Sequence, residues 1–145
     1  MKFKVNYFSL KLKILKLNTL ESVDYISIIL KIIVGLSILN VWIIQPNKAT
    51  KWRGGNADTI IKEFKVYGLS KQFCYFIGFL KVSFALILLA SLKFETITLI
   101  GSLGLAVLLL GSISMHIKVN DKLIKSFPAF LFLMLNLAIA LISIT

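Results

Sequence analysis

The sequence predicts an all-α integral membrane four-helix bundle, with a short amphipathic helix between spans one and two. Three observations carry that expectation. Of the 145 residues, 58% are hydrophobic and 16% are charged, against about 45–50% and about 25% in a soluble domain. The apolar residues gather in four runs, each near the ~20 residues that an α-helix needs to cross ~30 Å of hydrocarbon. The basic residues, which leave a net charge of +11, lie in the tail and between the runs, where they meet anionic headgroups. Charges placed in this way, off any single soluble face, argue against a nucleic-acid partner. The expected surroundings are a lipid bilayer. A chain of this length holds one domain.

Residues 1–24 read as a basic N-terminal tail, with lysines at 2, 4, 11, 13 and 16 interleaved with apolar residues. The segment is too long and too charged for a signal-peptide leader, and no small-residue cleavage site follows it. It is expected to lie at the membrane surface. Residues 25–145 are the bundle. Span one covers about 25–44. Glu21, Ser22 and Asp24 suit a helix start before it, Trp42 suits an interfacial aromatic, and Gln45-Pro46 ends it because proline lacks the N–H donor.

Asn47 to Lys71 is the most polar stretch. Arg53-Gly54-Gly55-Asn56 reads as a flexible basic turn. Ile60, Ile61, Phe64 and Tyr67 then recur at helical spacing, with Asp58, Lys62, Glu63 and Lys65 on other faces. This is a short amphipathic helix, opened near Asn56 or Asp58 and stopped at Gly68. It is too short and too charged to span, so it belongs at the interface or dips into the bundle mouth.

Span two covers about 72–92, and Lys93-Phe94-Glu95 makes a tight turn. Span three covers about 96–115. A loop from His116 to Phe127 carries Lys118, Asp121, Lys122 and Lys125. Span four, about 128–144, opens at Pro128, a favoured first helical position. Short connections make sequential helices neighbours in an antiparallel bundle.

Helix contacts within a membrane favour small residues. Ser27, Lys31 and Gly35 share a face of span one, and Cys74, Gly78, Lys81 and Ala85 share a face of span two. Gly101, Gly104, Leu108, Gly111 and Met115 form a stripe on span three, and Asn136, Ala140 and Ser143 do so on span four. These faces are expected to point inward.

A lysine at the bilayer centre costs at least ~2.5–3.5 kcal/mol. Lys31, about six residues into its span, can snorkel to the nearer interface. Lys81 is ~15 Å from either edge by helix rise. It needs an interior partner, cavity water or an uncharged amine, and Asn136, main-chain carbonyls and Glu63 are the acceptors in view. His116 reads first as a polar end-cap of span three, and as a ligand-binding residue second. A single histidine, with no carboxylate pair at ligand spacing, points to no metal site. Cys74 is the one cysteine, so an internal dithiol is excluded; it reads as a small buried hydrophobe.

Several pieces together resemble the DoxX-like family of small four-span membrane proteins. They are Arg53 to Ala57, the run EFKVYGL at Glu63–Leu69, and IGFLKVSFALILL at Ile77–Leu89. His116 after span three and Pro128 at the start of span four complete the set. Lys81 falls where relatives tend to carry lysine or glutamate. The likeness covers most of Tyr25 to Ser143, and its motifs are glycine-and-helix patterns, with no catalytic signature. It implies a membrane-embedded bundle. Some DoxX-related proteins are associated with a thiosulfate:quinone oxidoreductase or with membrane complexes that manage oxidative or thiol stress.

Two roles follow as expectations. The first is a non-catalytic membrane subunit or accessory protein, serving a quinone- or thiol-linked oxidoreductase partner. The second is a binding or transport bundle for a small amphipathic molecule such as a quinone, which is the one cofactor that the resemblance offers. Its candidate ligand-binding residues are Lys31, Lys81, His116, Asn136, Arg53 and Glu63. An enzyme in its own right ranks last, because no nucleophile–base pair is visible. The sequence leaves a homo-oligomer open.

By resemblance the compartment is a cell membrane of the bacterial inner-membrane type. The tail and the Lys93 turn hold six Lys and Arg, and the two opposite loops hold nine. Loop counts alone favour termini outside. The lysine cluster before the first span argues the reverse, because the first helix usually dominates. The reading adopted puts both termini in the cytoplasm.

Overall fold

The fold was analysed in a computed structural model. It describes residues 2–145, with side chains from Asn6 onward. The tail's Lys2 and Lys4 side chains therefore fall outside the described residues.

The described residues form five α-helices and no strand: α1 Lys2–Leu39, α2 Ile60–Val66, α3 Lys71–Ala90, α4 Thr98–Lys118 and α5 Leu123–Ile144. A π-helical segment, Asn40–Ile44, continues α1, and a 3-10 turn, Glu95–Ile97, leads into α4. Four stretches are long and apolar enough to cross a membrane: Asn6–Ile44, Lys71–Ala90, Glu95–Lys118 and Leu123–Ile144. α1 packs on α3 and α5, and α4 packs on α3 and α5. The ring order is thus α1–α3–α4–α5, with each neighbour antiparallel to the last. Val34, Ile38, Ala85, Leu88, Leu105, Leu109, Leu133 and Ile139 meet at the centre. The outer faces stay apolar and uncovered, as at Phe79, Val107 and Leu141, which suits lipid as the outer solvent.

Three boundaries differ from the sequence reading. No helix starts at residues 21–24. Thr19 and Ser22 donate their hydroxyls back to the carbonyls of Leu15 and Thr19, as mid-helix residues do. No glycine or proline occurs before Gly35 to break the run. At ~1.5 Å per residue α1 is ~57 Å long, about twice the hydrocarbon thickness.

α2 opens at Thr59, whose hydroxyl accepts from the Lys62 N–H, and not at Asn56 or Asp58. It ends as read: Gly68 takes φ 77°, and the N–H groups of Gly68 and Leu69 return to the carbonyls of Lys65 and Phe64. That is a Schellman stop.

α5 starts five residues before Pro128. Asn120 turns the chain with φ 54°, and the Asp121 N–H donates to the His116 carbonyl. The next helix can then begin at once. Pro128 sits near enough to the N-terminus to forgo one backbone bond without ending the helix.

The inward faces of α1, α3 and α5 match the small-residue stripes: Ser27, Lys31, Gly35, Cys74, Gly78, Lys81, Ala85, Asn136 and Ala140 are all buried. On α4 the stripe is rotated. Thr98, Ser102, Leu105, Leu109 and His116 face the interior, while Gly111 is exposed. Gly101 and Gly104 instead serve the α3 contact, where Leu88 and Phe84 lie against them.

Candidate functional site

The polar connection from Gln45 to Ser70 folds over the open end of the bundle. Arg53 anchors it. Its Nη1 meets Glu63 Oε2 at 3.2 Å, its Nε donates to the Lys48 carbonyl, and its Nη2 donates to the carbonyls of Gln45 and Pro46. Glu63 also accepts from the Gly54 N–H at 2.7 Å and from the Tyr67 hydroxyl at 3.0 Å. The Arg53-Gly54-Gly55 segment is therefore held at three points. The flexible turn expected from its glycines is not what forms, because the Glu63 carboxylate holds Arg53 and the Gly54 N–H, and the Asp121 carboxylate holds the Gly55 N–H.

The same network reaches α4 and α5. The Tyr67 hydroxyl lies 3.3 Å from His116 Nε2. His116 Nδ1 lies 2.8 Å from Asp121 Oδ2; a carboxylate only accepts, so Nδ1 carries the proton in this pair. The Gly55 N–H donates to Asp121 Oδ1 at 3.0 Å, from a residue with φ 56°. Lys125 lies 3.5 Å from Asp121 Oδ1 and donates to the Gly55 carbonyl. Lys118 donates to the Tyr67 carbonyl.

Two groups of this lid network, Tyr67 and Asp121, titrate away from their ordinary values. Burial raises the Tyr67 hydroxyl, and the neighbouring Glu63 carboxylate raises it further. It stays protonated and donates to Glu63. Burial would also raise the Asp121 carboxyl, but its bonds from His116 and the Gly55 N–H, with Lys125 beside it, hold it below the usual carboxylate value.

Beneath this lid Lys81 Nζ donates to Ser112 Oγ at 2.9 Å and sits 5.1 Å from the centre of the Trp42 ring. The residue is 6% exposed. Ser112 is six residues inside the end of α4, ~9 Å by helix rise. The lysine stem thus climbs from mid-span toward the mouth within the bundle, an internal form of snorkelling. Trp42 is set there by the π-helical segment, in which the Gln45 N–H donates to the Asn40 carbonyl five residues back. Such insertions are frequent at functional sites.

A cavity of about 230 Å³ opens between these groups, lined by Trp42, Arg53, Glu63, Lys81, Ser112 and His116 among others. It brings together four of the six residues singled out from the sequence. Lys31 and Asn136 lie elsewhere. Lys31 is 3% exposed, and the carboxylates that act on it electrostatically are Glu95 and Asp24; both belong to the opposite end of the bundle. Asn136 is fully buried, donates to the Phe132 carbonyl at 2.8 Å, and its Oδ1 has no partner among the described residues.

Sequence reasoning missed Ser112, Tyr67, Asp121 and Lys125 as site residues. Ser112 could have been found, since it precedes His116 by one helical turn and so shares its face. Asp121 and Lys125 follow from the turn at Asn120, which spacing does not reveal.

The arrangement can hold a small polar group. Arg53 is paired with Glu63, and Lys125 with Asp121. Lys81 forms no ion pair among the described residues, so its charge faces the cavity with a hydroxyl and an indole ring for company. A model described as the DoxX-like family matches residues 52–141, more than half of the chain, beginning past the first span. No curated protein and no solved structure matches the chain.

Proposed function

The chain belongs to the DoxX-like family, and on that premise we propose that it is a multi-pass membrane bundle that binds a small amphipathic molecule by its head group. The head group is an oxygen acceptor, such as a quinone carbonyl or a carboxylate. Lys81 donates to it, Ser112 fixes the ammonium, Trp42 covers one side, and His116 and Arg53 line the rest of the cavity. One observation carries this reading: Lys81 is a buried cation without a carboxylate against it, directed into a cavity whose other two cations are already paired. A buried charge is retained at a cost, and an acceptor from outside would offset it. The volume also fits. At about 230 Å³ it falls below the ~300–1,000 Å³ of sites that enclose a whole drug-sized ligand, which suits a head group with the remainder elsewhere.

Native mass spectrometry of protein released from its own membrane tests the reading. The wild type should carry a small-molecule adduct that Lys81→Leu lacks, with equal helicity by circular dichroism. Identical spectra from the two proteins would refute it.

A second reading, an accessory subunit of an oxidoreductase complex, rests on α1. From Asn6 to Ser22 every side chain is exposed, including Tyr7, Phe8 and Leu10. This basic, half-apolar extension suits a cytoplasmic membrane surface or a docked partner. Deleting residues 2–20 should then detach a co-purifying oxidoreductase while leaving the head-group site intact; retention of that partner would count against this reading.

A further inference from the structure

The head-group cavity has a neighbour. On the lipid side of Trp42 lies a groove of about 410 Å³, lined by Ile61, Cys74, Tyr75, Gly78, Phe79 and Val82, with Trp42 and Ile60 shared between the two spaces. Trp42 is their common wall. It packs so closely on α3 that a Cβ at Gly78 would come within 2.8 Å of its ring. Lys81 belongs to the first space, while Gly78 and Val82, three residues before it and one after, belong to the second. One face of α3 therefore carries a cation on one side of an indole and an apolar channel on the other. Tyr75 and Phe79 are 57% and 69% exposed, so the groove opens laterally, toward lipid.

Resting on the head-group reading above, we propose that the groove seats the alkyl tail of the same amphiphile, which enters from the bilayer between α1 and α3 and passes Trp42 to reach Lys81. Two features argue for this occupant. The groove shares the Trp42 and Ile60 walls with a cationic cavity too small for a whole amphiphile, so a molecule held by Lys81 needs an exit for its tail past that shared wall. Apart from Asn47 and the Tyr75 hydroxyl the groove is lined by apolar side chains, which favour a hydrocarbon chain over water. The substrate class is then a single-chain amphiphile with an acceptor head, exchanged with the membrane and not with the aqueous phase.

Straight-chain carboxylates in nanodiscs test the proposal. The chain's two tryptophans, Trp42 and Trp52, both line the cavity, so their emission reports binding of 11-bromoundecanoate by quenching. Propionate and dodecanoate then compete against it in wild type, in Val82→Phe, which fills the groove, and in Lys81→Leu. The expected result is that Val82→Phe weakens dodecanoate by about tenfold or more, as overpacking a filled space does, and leaves propionate unchanged. Partition into lipid is common to both proteins and cancels. Equal competition by dodecanoate in wild type and Val82→Phe overturns the tail site and leaves the head-group site standing. Quenching that neither saturates nor changes in Lys81→Leu removes both.

Discussion

Lys81 of α3 and Ser112 of α4 meet at 2.9 Å inside the bundle, so a charged donor from mid-span is satisfied by a neutral hydroxyl. A hydrogen bond to a charged group contributes ~1.5–3 kcal/mol, while the charge costs at least ~2.5–3.5 kcal/mol in a membrane. The two nearly cancel. Lys81→Leu should therefore unfold at the same or a higher temperature than wild type, gaining up to ~2 kcal/mol, even as ligand binding is lost. A Leu variant that fails to insert would mean that Lys81 is structural.

Glu63 plays the opposite part. It is the carboxylate for Arg53, and it also accepts from Gly54 and Tyr67. Removing it leaves a buried guanidinium unpaired, so Glu63→Ala should destabilise by about 3 kcal/mol. Glu63→Gln keeps the shape and should cost less. Arg53→Leu combined with Glu63→Leu should recover part of the loss. A double-mutant cycle by thermal unfolding in detergent measures this, and additive losses would show the pair to be uncoupled.

Two glycines of α4, Gly101 and Gly111, are expected to respond differently to substitution. A Cβ at Gly101 would lie 2.8 Å from the Leu88 backbone nitrogen, whereas a Cβ at Gly111 meets nothing within 4 Å. Gly101→Ala should push α3 from α4 and cost about 1–3 kcal/mol. Gly111→Ala should gain helix propensity, up to ~1 kcal/mol. Equal unfolding midpoints for the two variants would contradict the α4 orientation.

Much of this was readable in the sequence, for identifiable reasons. The spans follow from run length and lipid thickness, which local sequence alone determines. The inward faces of α1, α3 and α5 follow because each carries one small-polar stripe. α4 carries two, Gly101-Gly104 and Thr98-Ser102-Leu105-Leu109, and spacing does not say which contact each one makes. The π-helical segment at Asn40–Ile44 was invisible, since a five-residue backbone insertion leaves no periodic signature. With it went the position of Trp42 over Lys81. The Asp121–Gly55 bond joins residues far apart in the chain, and only the closed lid brings them together.

Acid should open that lid. The Asp121 carboxyl titrates below its ordinary value of 3.8 in the folded chain. Its stabilisation is therefore complete above that value and lost as pH falls through the lower folded value. The midpoint difference between wild type and Asp121→Asn should shrink below about pH 4. A difference that persists unchanged to pH 2.5 would place the Asp121 contribution outside its charge.

On the proposed function, Lys81 is the group that meets the head of a membrane amphiphile. Dodecanal tests this directly, because an amine within reach of its aldehyde forms an imine that cyanoborohydride reduces to a stable secondary amine. Peptide mapping after treatment in nanodiscs should find the alkyl group on Lys81, and excess dodecanoate should suppress it there while leaving Lys48 and Lys93 in the loops unaffected. Alkylation confined to the loop lysines, with Lys81 untouched at every dose, would contradict the account.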